Sequence, residues 1–181
     1  TKDYPVEQYA RDIKILSIWE GTNFIQSADL IREKIGMGRS SRLFDIFVKE
    51  IRGFLDQEKK CPFPSELKVL ARSLEVLVQT HALMGRWVKE KKIELIFAVS
   101  TRFLEMMAEV CMGWLLLESA AVASRAIGKI DEGDPDYSFY KGKIISTRFF
   151  INNILPDVFS KAEILESEDM SIMESDQSIF N

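Results

Sequence analysis

The chain has 181 residues, of which 46% are hydrophobic and 29% charged, with a formal net charge of −4. A chain of this length can bury a core without disulfides or metal, and the acidic balance without a basic run excludes the usual nucleic-acid-binding surface. The two cysteines, Cys61 and Cys111, lie far apart in sequence. Their number and separation favour a reducing, cytoplasmic setting over a disulfide scaffold.

The first predicted elements are two helices separated by a break. Apolar residues recur at helical spacing from Val6 to Leu16, and Pro5 suits the first helical position. Glu20-Gly21 interrupts this pattern. Thr22 can then cap a second helix, which we expect to end at the loop of residues 36–38.

The next two helices have clear starts and stops. Ser40 or Ser41 can cap a third helix, and Pro62 and Pro64 end it. Ser65 can cap a fourth. Its apolar positions alternate at spacings of three and four, which is typical of a bundle-facing seam: Leu67, Leu70, Leu74, Leu77, His81, Met84 and Val88.

The second half of the chain predicts a long central helix and a further long one. The fifth helix runs from Ile93 to Ile127 and is apolar around most of its circumference. Glu105, Glu109 and Glu118 interrupt its apolar run, so a buried core helix is favoured over a membrane span. A sixth helix follows the cap at Asp134, and residues after 165 are acidic.

These elements predict an all-α fold. Residues 1–36 form a helix–break–helix piece that belongs to another domain, and residues 39–165 form a bundle of about four long antiparallel helices. Residues 166–181 form an acidic, flexible tail. Beyond these helices, no pattern of period two persists, so no strand is expected.

Residues 4–26, YPVEQYARDIKILSIWEGTNFIQ, carry the most informative motif. They resemble the active-site segment near the carboxy-terminal end of the flavin-dependent acyl-CoA dehydrogenases. The matched positions are Tyr4-Pro5-Val6-Glu7, Arg11-Asp12, Lys14-Ile15, Trp19-Glu20-Gly21-Thr22 and Ile25-Gln26. The resemblance implies that the chain is the tail of a longer enzyme and is inactive when isolated.

The resemblance also implies roles for the residues around Glu20. Glu20 is expected to be the catalytic base that takes the α-proton of an acyl-CoA thioester, while hydride passes to FAD. Trp19, Glu20 and Gly21 would contact the substrate, and Thr22, Asn23 and Phe24 the flavin. Two positions depart from the commoner family pattern: Trp19 replaces a tyrosine, and Phe24 stands where many members carry glutamine.

The extension beyond the motif resembles that of larger bacterial family members with an additional carboxy-terminal helical domain, including those that act on methylthio-propionyl-CoA. Gly113-Trp114-Leu115 is among the few residues that support this second resemblance. The family further implies that FAD is bound mainly by other parts of the longer protein. Its expected partners are an electron-transfer flavoprotein and further copies of itself, as a dimer or tetramer.

The other polar residues that could carry chemistry are expected to have structural roles and not catalytic or metal-binding ones. His81 lies on an apolar seam without a second histidine, which favours a hydrogen-bonded core residue over a metal ligand. Glu105 and Glu109 share a helix face and are expected to pair with basic side chains or face solvent. The acidic loop of residues 131–136 lacks the EF-hand spacing.

A second hypothesis needs no catalysis. The bundle of residues 39–165 would then be an interaction or oligomerisation module that buries surface against other domains or subunits. Both hypotheses can hold for different segments of the chain.

Overall fold

A computed structural model describes residues 6–14, 22–38, 41–59, 61–171, 173 and 178. Within these residues the protein is helical and has no strand, so the prediction of an all-α fold is confirmed. The helices are α1 (Val6–Lys14), α2 (Asn23–Asp29), α3 (Arg42–Gln57), α4 (Pro64–Lys89), α5 (Ile93–Ala98), α6 (Ser100–Ile127), α7 (Pro135–Asn153) and α8 (Asp157–Glu166). A π-helical turn, Leu30–Lys34, continues α2.

Side-chain caps start several of these helices as predicted. Thr22, Ser41 and Asp134 each accept a hydrogen bond from a backbone amide in the first turn of α2, α3 and α7. The predicted cap at Ser65 is wrong, because α4 begins one residue earlier, at Pro64. Proline suits this first position since it has no amide hydrogen that would need a partner there.

The predicted continuous helix from residue 93 to 127 is interrupted once. The chain leaves helical geometry at Val99, where φ is −103° and ψ is 2°. The Ser100 hydroxyl lies 2.9 Å from the carbonyl oxygen of Phe97, and its Oγ is 2.8 Å from Oγ of Ser27. This side-chain bonding competes with helical backbone bonding and accompanies the break.

Helix α6 is the central helix, as predicted. It contacts α2, α4, α5, α7 and α8. It runs antiparallel to α7, because Gly113 faces Ile151 whereas Val122 shares a groove with Phe139. The core around it is built from fully buried side chains, which include Ile31, Leu70, Leu77, Met84, Trp87, Ile96, Phe103, Met106 and Val110.

By length and composition alone, α6 could also cross a membrane, since its most apolar 18-residue window has a mean hydropathy of 1.5. In the protein, 39% of that window is buried among the other helices. A central bundle helix has this composition for packing reasons, so its apolarity is weak support for a membrane span.

Helices α1 and α2 differ in how they relate to the bundle. No residue of α1 is buried, and the side chains of Val6, Tyr9 and Ile13 are each more than half exposed. In contrast, Ile31, in the π turn that continues α2, and Ile35, directly after that turn, lie in the bundle core. The predicted domain boundary near residue 36 therefore separates residues that share one core in this chain. Whether a longer protein has a domain boundary at this position stays a prediction.

The first residues of the predicted flexible tail contact the bundle. One carboxylate oxygen of Glu168 accepts a hydrogen bond of 2.8 Å from the Trp87 indole, and the other lies 2.6 Å from Nζ of Lys92. Met170 packs against the core cluster. These contacts fasten the tail to the connection between α4 and α5 as far as Met170.

Candidate functional site

The structure describes only the second half of the predicted site. Trp19, Glu20 and Gly21 lie outside the described residues. Thr22, Asn23 and Phe24 are described, and all three lie exposed at the start of α2. In the sequence, Glu20 therefore lies two residues before Thr22, the residue that caps α2, with only Gly21 between them.

The start of α2 has the geometry of a capped helix terminus. Thr22 has extended backbone angles, and its hydroxyl accepts a bond of 3.3 Å from the amide of Ile25. Its carbonyl oxygen accepts the amide of Gln26 at 3.1 Å. The first amides of a helix have no intrahelical acceptor, so those of Asn23 and Phe24 could donate to a polar ligand atom.

A repeated Phe-x-x-Ser pattern attaches α2 to the centre of the bundle. Phe24 and Ser27 lie on α2, and Phe97 and Ser100 lie at the break between α5 and α6. The two phenylalanine rings meet edge to face with centroids 6.4 Å apart. The two serine Oγ atoms lie 2.8 Å apart and are buried. This double contact fixes the orientation of α2 against the bundle.

An apolar pocket of about 430 Å³ opens beside Phe24. Its other lining residues are Glu94, Phe97 and Ala98 from α5 and Met173 from the tail. The ring of Phe24 is 52% exposed, so it offers an uncovered aromatic surface at this site. Such a pocket suits an apolar group, and Glu94 is the carboxylate among its described lining residues.

The sequence does not predict that Phe97, Ala98 and Met173 are neighbours of Phe24. These residues lie far from Phe24 in the chain, and only folding brings them together. The one local signal was the repetition of Phe-x-x-Ser at residues 24–27 and 97–100.

His81 is a core histidine, as predicted. Its Nε2 lies 3.0 Å from the carbonyl oxygen of Ile35, and its ring stacks on Phe44 with centroids 4.0 Å apart. Burial lowers the pKa of His81, and the bond to Ile35 and the nearby Asp45 carboxylate only partly oppose this shift. His81 is therefore neutral at pH 7 and acts as a donor that ties the end of α2 to α4.

Glu105 and Glu109 pair with Lys161 of α8, as expected for a structural role. Burial raises the pKa of the Glu109 carboxyl, although its hydrogen bond with Lys161 opposes the rise. Burial lowers the pKa of Lys161, but the bonds to the two carboxylates outweigh it and raise the pKa overall. The ion pairs of Lys161 with Glu105 and Glu109 therefore connect α8 to α6.

No group of three or more histidine, cysteine, aspartate or glutamate side chains comes together to hold a metal ion within the described part of the chain. The acidic loop after α6 instead supplies the α7 cap and an acceptor, Glu132, for the Tyr137 hydroxyl. Both cysteines are free thiols.

Comparison with known proteins reveals relatives along almost the whole chain. The broad-specificity linear acyl-CoA dehydrogenase of Mycobacterium tuberculosis is 36% identical over 185 residues, which cover 99% of this chain and 30% of the relative. Two butyryl-CoA dehydrogenases of Syntrophomonas wolfei subsp. wolfei are each 29% identical and cover 96% and 99% of the chain. The chain spans 28% and 29% of the lengths of those two relatives.

A family model described as acetyl-CoA dehydrogenase C-terminal like matches residues 47–176. This range begins in α3 and takes in all of α4 to α8. The relatives in addition extend over the amino-terminal motif, since two of them cover 99% of the chain. The chain therefore belongs to the acyl-CoA dehydrogenase family and corresponds to its carboxy-terminal region.

Proposed function

We propose that this chain supplies the carboxy-terminal part of a flavin-dependent acyl-CoA dehydrogenase, in which Glu20 is the catalytic base. The observation that carries the proposal is the Glu20-Gly21-Thr22 motif, which immediately precedes a capped helix beside an apolar pocket. The whole reaction needs the remainder of a longer protein, because the chain spans only about three tenths of its relatives. We therefore expect the isolated chain to be inactive.

The proposed reaction oxidises an acyl-CoA thioester to the 2,3-enoyl-CoA. The thioester carbonyl acidifies the C–H bond at the adjacent carbon, and Glu20 takes that proton. An apolar surround favours this step because it raises the pKa of a carboxylate toward neutrality. Trp19 and Phe24 would provide part of this surround. Gly21 permits close approach of the backbone to the substrate, and the amide of Glu20 would donate to the thioester oxygen.

The residues after Glu20 fit the edge of a flavin but cannot hold one alone. The Thr22 hydroxyl, the Asn23 side-chain amide and the first backbone amides of α2 would offer donors and acceptors to a polar ring edge, and Phe24 would offer an aromatic surface. All three side chains are exposed, so most of the binding surface must come from elsewhere in the longer protein. When bound, FAD supplies the hydride acceptor for the β-carbon.

The names of the relatives suggest a substrate class. One is named for linear acyl-CoA thioesters and two for butyryl-CoA. We propose a linear acyl-CoA as substrate for the longer protein. A cytoplasmic location, an electron-transfer flavoprotein as electron acceptor and assembly into a dimer or tetramer complete this proposal.

Flavin absorbance in the longer protein tests the role of Glu20. We expect a panel of linear acyl-CoA thioesters to bleach the flavin of the wild type, and Glu20→Gln to slow bleaching by at least about 10²-fold because the base is lost. The thioester that bleaches fastest identifies the preferred chain length.

The matched control is Glu33→Gln, which makes the same charge change on the π turn after α2, where Glu33 pairs with exposed Arg32. It should bleach at the wild-type rate. Equal bleaching in wild type and Glu20→Gln would place the base elsewhere. The absence of bleaching with every thioester would refute the dehydrogenase proposal.

A second function, as an interaction module, is favoured by exposed apolar side chains on α1 and α7. It is compatible with the first, because α1 ends before Glu20 and α7 lies outside residues 4–26. Deleting the bundle of residues 39–165 from the longer protein tests it. Unchanged oligomeric state and solubility would refute this role.

A further inference from the structure

A serine attaches the first part of α2 to the bundle. Ser27 is the one buried residue of α2, and it is 0% exposed, as is Ser100 at the start of α6. A helix of seven residues has little stability of its own, so its contacts with the bundle decide how it is held. A buried hydroxyl adds little hydrophobic energy and bonds only in specific directions. This attachment therefore serves orientation more than stability.

The two serines have fewer hydrogens than contacts. Ser27 Oγ lies 2.9 Å from the carbonyl oxygen of Phe24. Ser100 Oγ lies 2.9 Å from the carbonyl oxygen of Phe97 and 2.8 Å from Oγ of Ser27. Each hydroxyl carries one hydrogen, so two hydrogens serve three contacts. In either arrangement, one serine donates to the other, which donates to its own carbonyl, and this two-bond chain joins α2 to the break between α5 and α6.

The covalent chain carries this orientation towards Glu20. The Thr22 carbonyl accepts the Gln26 amide at 3.1 Å, so the cap of α2 and Ser27 belong to adjoining turns. Residues two positions apart are separated by at most about 7 Å between their Cα atoms. The Cα of Glu20 therefore cannot lie further than this from that of Thr22. A shift of the first turn of α2 displaces the point from which the Glu20 segment starts.

Phe97 restricts the same turn through a second contact. Its ring meets that of Phe24 edge to face, with centroids 6.4 Å apart, and such pairs have a preferred geometry. The aromatic and the serine contacts both join α2 to the same short stretch, residues 97–100. This stretch lies within residues 47–176, which the carboxy-terminal family model matches, whereas α2 precedes that range.

We propose that Ser100 and Phe97 are positioning residues for proton abstraction by Glu20. They act through Ser27 and Phe24, which hold the start of α2, and they need not touch the substrate. The inference rests on the proposed role of Glu20 as base. It gives the helical region after residue 47 a part in the reaction, in addition to any surface that it buries.

Single-turnover bleaching of the flavin in the longer protein tests this proposal. With a saturating linear acyl-CoA, and per bound flavin, we expect Ser100→Ala to slow bleaching about tenfold, because a misplaced base reaches a reactive geometry less often. The dissociation constant of the thioester should change by less than about twofold, since the substitution does not alter the substrate contacts. Ser27→Ala should have the same effect as Ser100→Ala. The double variant should be no slower than either single one, because both remove one shared contact.

The same substitution in the Glu20→Gln background separates this inference from the proposed function. Ser100→Ala should slow the residual bleaching of Glu20→Gln by less than about twofold, because no base remains to be positioned. If Glu20→Gln bleached at the wild-type rate, the proposed function itself would fail. If Glu20→Gln were slow but Ser100→Ala were as fast as the wild type, only the present inference would fail.

Thr147→Val is the matched control. It also removes a buried bond between helices, from the Thr147 hydroxyl of α7 to the Leu116 carbonyl of α6 at 3.0 Å, but it leaves α2 untouched. It should bleach at the wild-type rate.

Hydrogen exchange of the 181-residue chain gives a measurement that needs no flavin. The amides of Ile25 and Gln26 bond to the hydroxyl and carbonyl of Thr22. We expect both to exchange at least about tenfold faster in Ser100→Ala, because the first turn of α2 then opens more often. They should exchange as in the wild type in Thr147→Val.

Phe97→Leu is a second variant, which tests the proposal even if Ser100→Ala does not fold. It should slow bleaching about fivefold, since the edge-to-face contact with Phe24 is lost. Unchanged bleaching or unchanged exchange in the folded variants would overturn the proposal. Equal slowing by Thr147→Val would do so as well, and so would equal slowing by Ser100→Ala with and without the Glu20 carboxylate.

Discussion

At the scale of single residues, His81 makes the stability of the bundle depend on pH. Its ring is buried between Phe44 and the α2 end, and its Nε2 donates to the carbonyl of Ile35. Burial lowers its pKa below the ordinary value of 6.5. His81 therefore binds a proton less tightly in the folded chain than in the unfolded chain.

We expect the free energy of unfolding to fall as pH drops below about 6.5, because protons then bind the unfolded state preferentially. The contribution of His81 is complete above that pH and is lost progressively down to the lowered pKa of the folded state. Urea unfolding between pH 8 and 5 measures this. In His81→Gln, whose side-chain amide can still donate to Ile35, the histidine part of the pH dependence should vanish. Identical pH profiles would contradict the prediction.

The sequence predicted that His81 is a hydrogen-bonded core residue, from its position on the α4 seam. It could not predict the partner. Ile35 lies 46 residues earlier, and its carbonyl becomes the acceptor only because α2 ends against α4. Contacts of this kind depend on tertiary packing and have no local sequence signal.

At the scale of helices, Gly113 allows α6 to pack closely against Ile151 of α7 and Leu155 after it. A Cβ added there would lie 3.1 Å from a Leu155 methyl and 3.3 Å from an Ile151 methyl. Both neighbours are fully buried, so they have little room to move. The close packing of α6 against Ile151 and Leu155 therefore leaves little room for a side chain at position 113.

We expect Gly113→Val to lower the free energy of unfolding by about 1–3 kcal/mol, because it overpacks this contact. The matched control is Gly53→Ala in α3, where an added Cβ meets nothing within 4 Å. This control should stabilise the chain by about 0.5–1 kcal/mol, since alanine favours helix. Urea unfolding of both variants gives the two values. A Gly113→Val variant as stable as the wild type would refute the packing argument.

The interruption between α5 and α6 could not be predicted from helical periodicity. Apolar residues keep their rhythm across Val99, and no glycine or proline marks the break. The bonds of Ser100 to Phe97 and Ser27 end the regular helix there. The contact between Ser27 and Ser100 thus overrides the helical periodicity. The same contact accompanies the packing of Phe97 against Phe24.

At the scale of the whole molecule, the core extends beyond the predicted bundle. Ile31 and Ile35 are 0% and 1% exposed and pack with α3, α4 and α6 side chains in one cluster. No residue of α1 is buried. The stability of the chain should therefore depend on the end of α2 and not on α1.

We expect deletion of residues 1–14 to leave the free energy of unfolding unchanged within about 0.5 kcal/mol. Deletion of residues 1–36 should lower it by at least about 3 kcal/mol, because burial of each isoleucine contributes about 1.5–3 kcal/mol. Thermal and urea unfolding of the two truncated chains test this. If both deletions changed the free energy of unfolding equally, residues 15–36 would not stabilise the bundle, and the predicted domain boundary near residue 36 would be supported.

The sequence predicted the all-α class, most helix ends and the family, because caps, periodicity and motif order are local features. It also predicted Glu20 as the base by resemblance, and this residue lies outside the described part of the chain. The pocket beside Phe24 could not be predicted, because its walls come from α5 and the tail, far along the sequence.

The contacts of Glu168 hold the carboxy-terminal end of the chain against the region where α4 is followed by α5. Its carboxylate bonds to Trp87 and Lys92, and five residues later Met173 forms one wall of the pocket beside Phe24. The bond to Lys92 is an exposed ion pair, and salt weakens such pairs. We therefore expect ionic strength to affect the position of Met173, and with it the apolar pocket, through a charged contact that is not among the pocket walls.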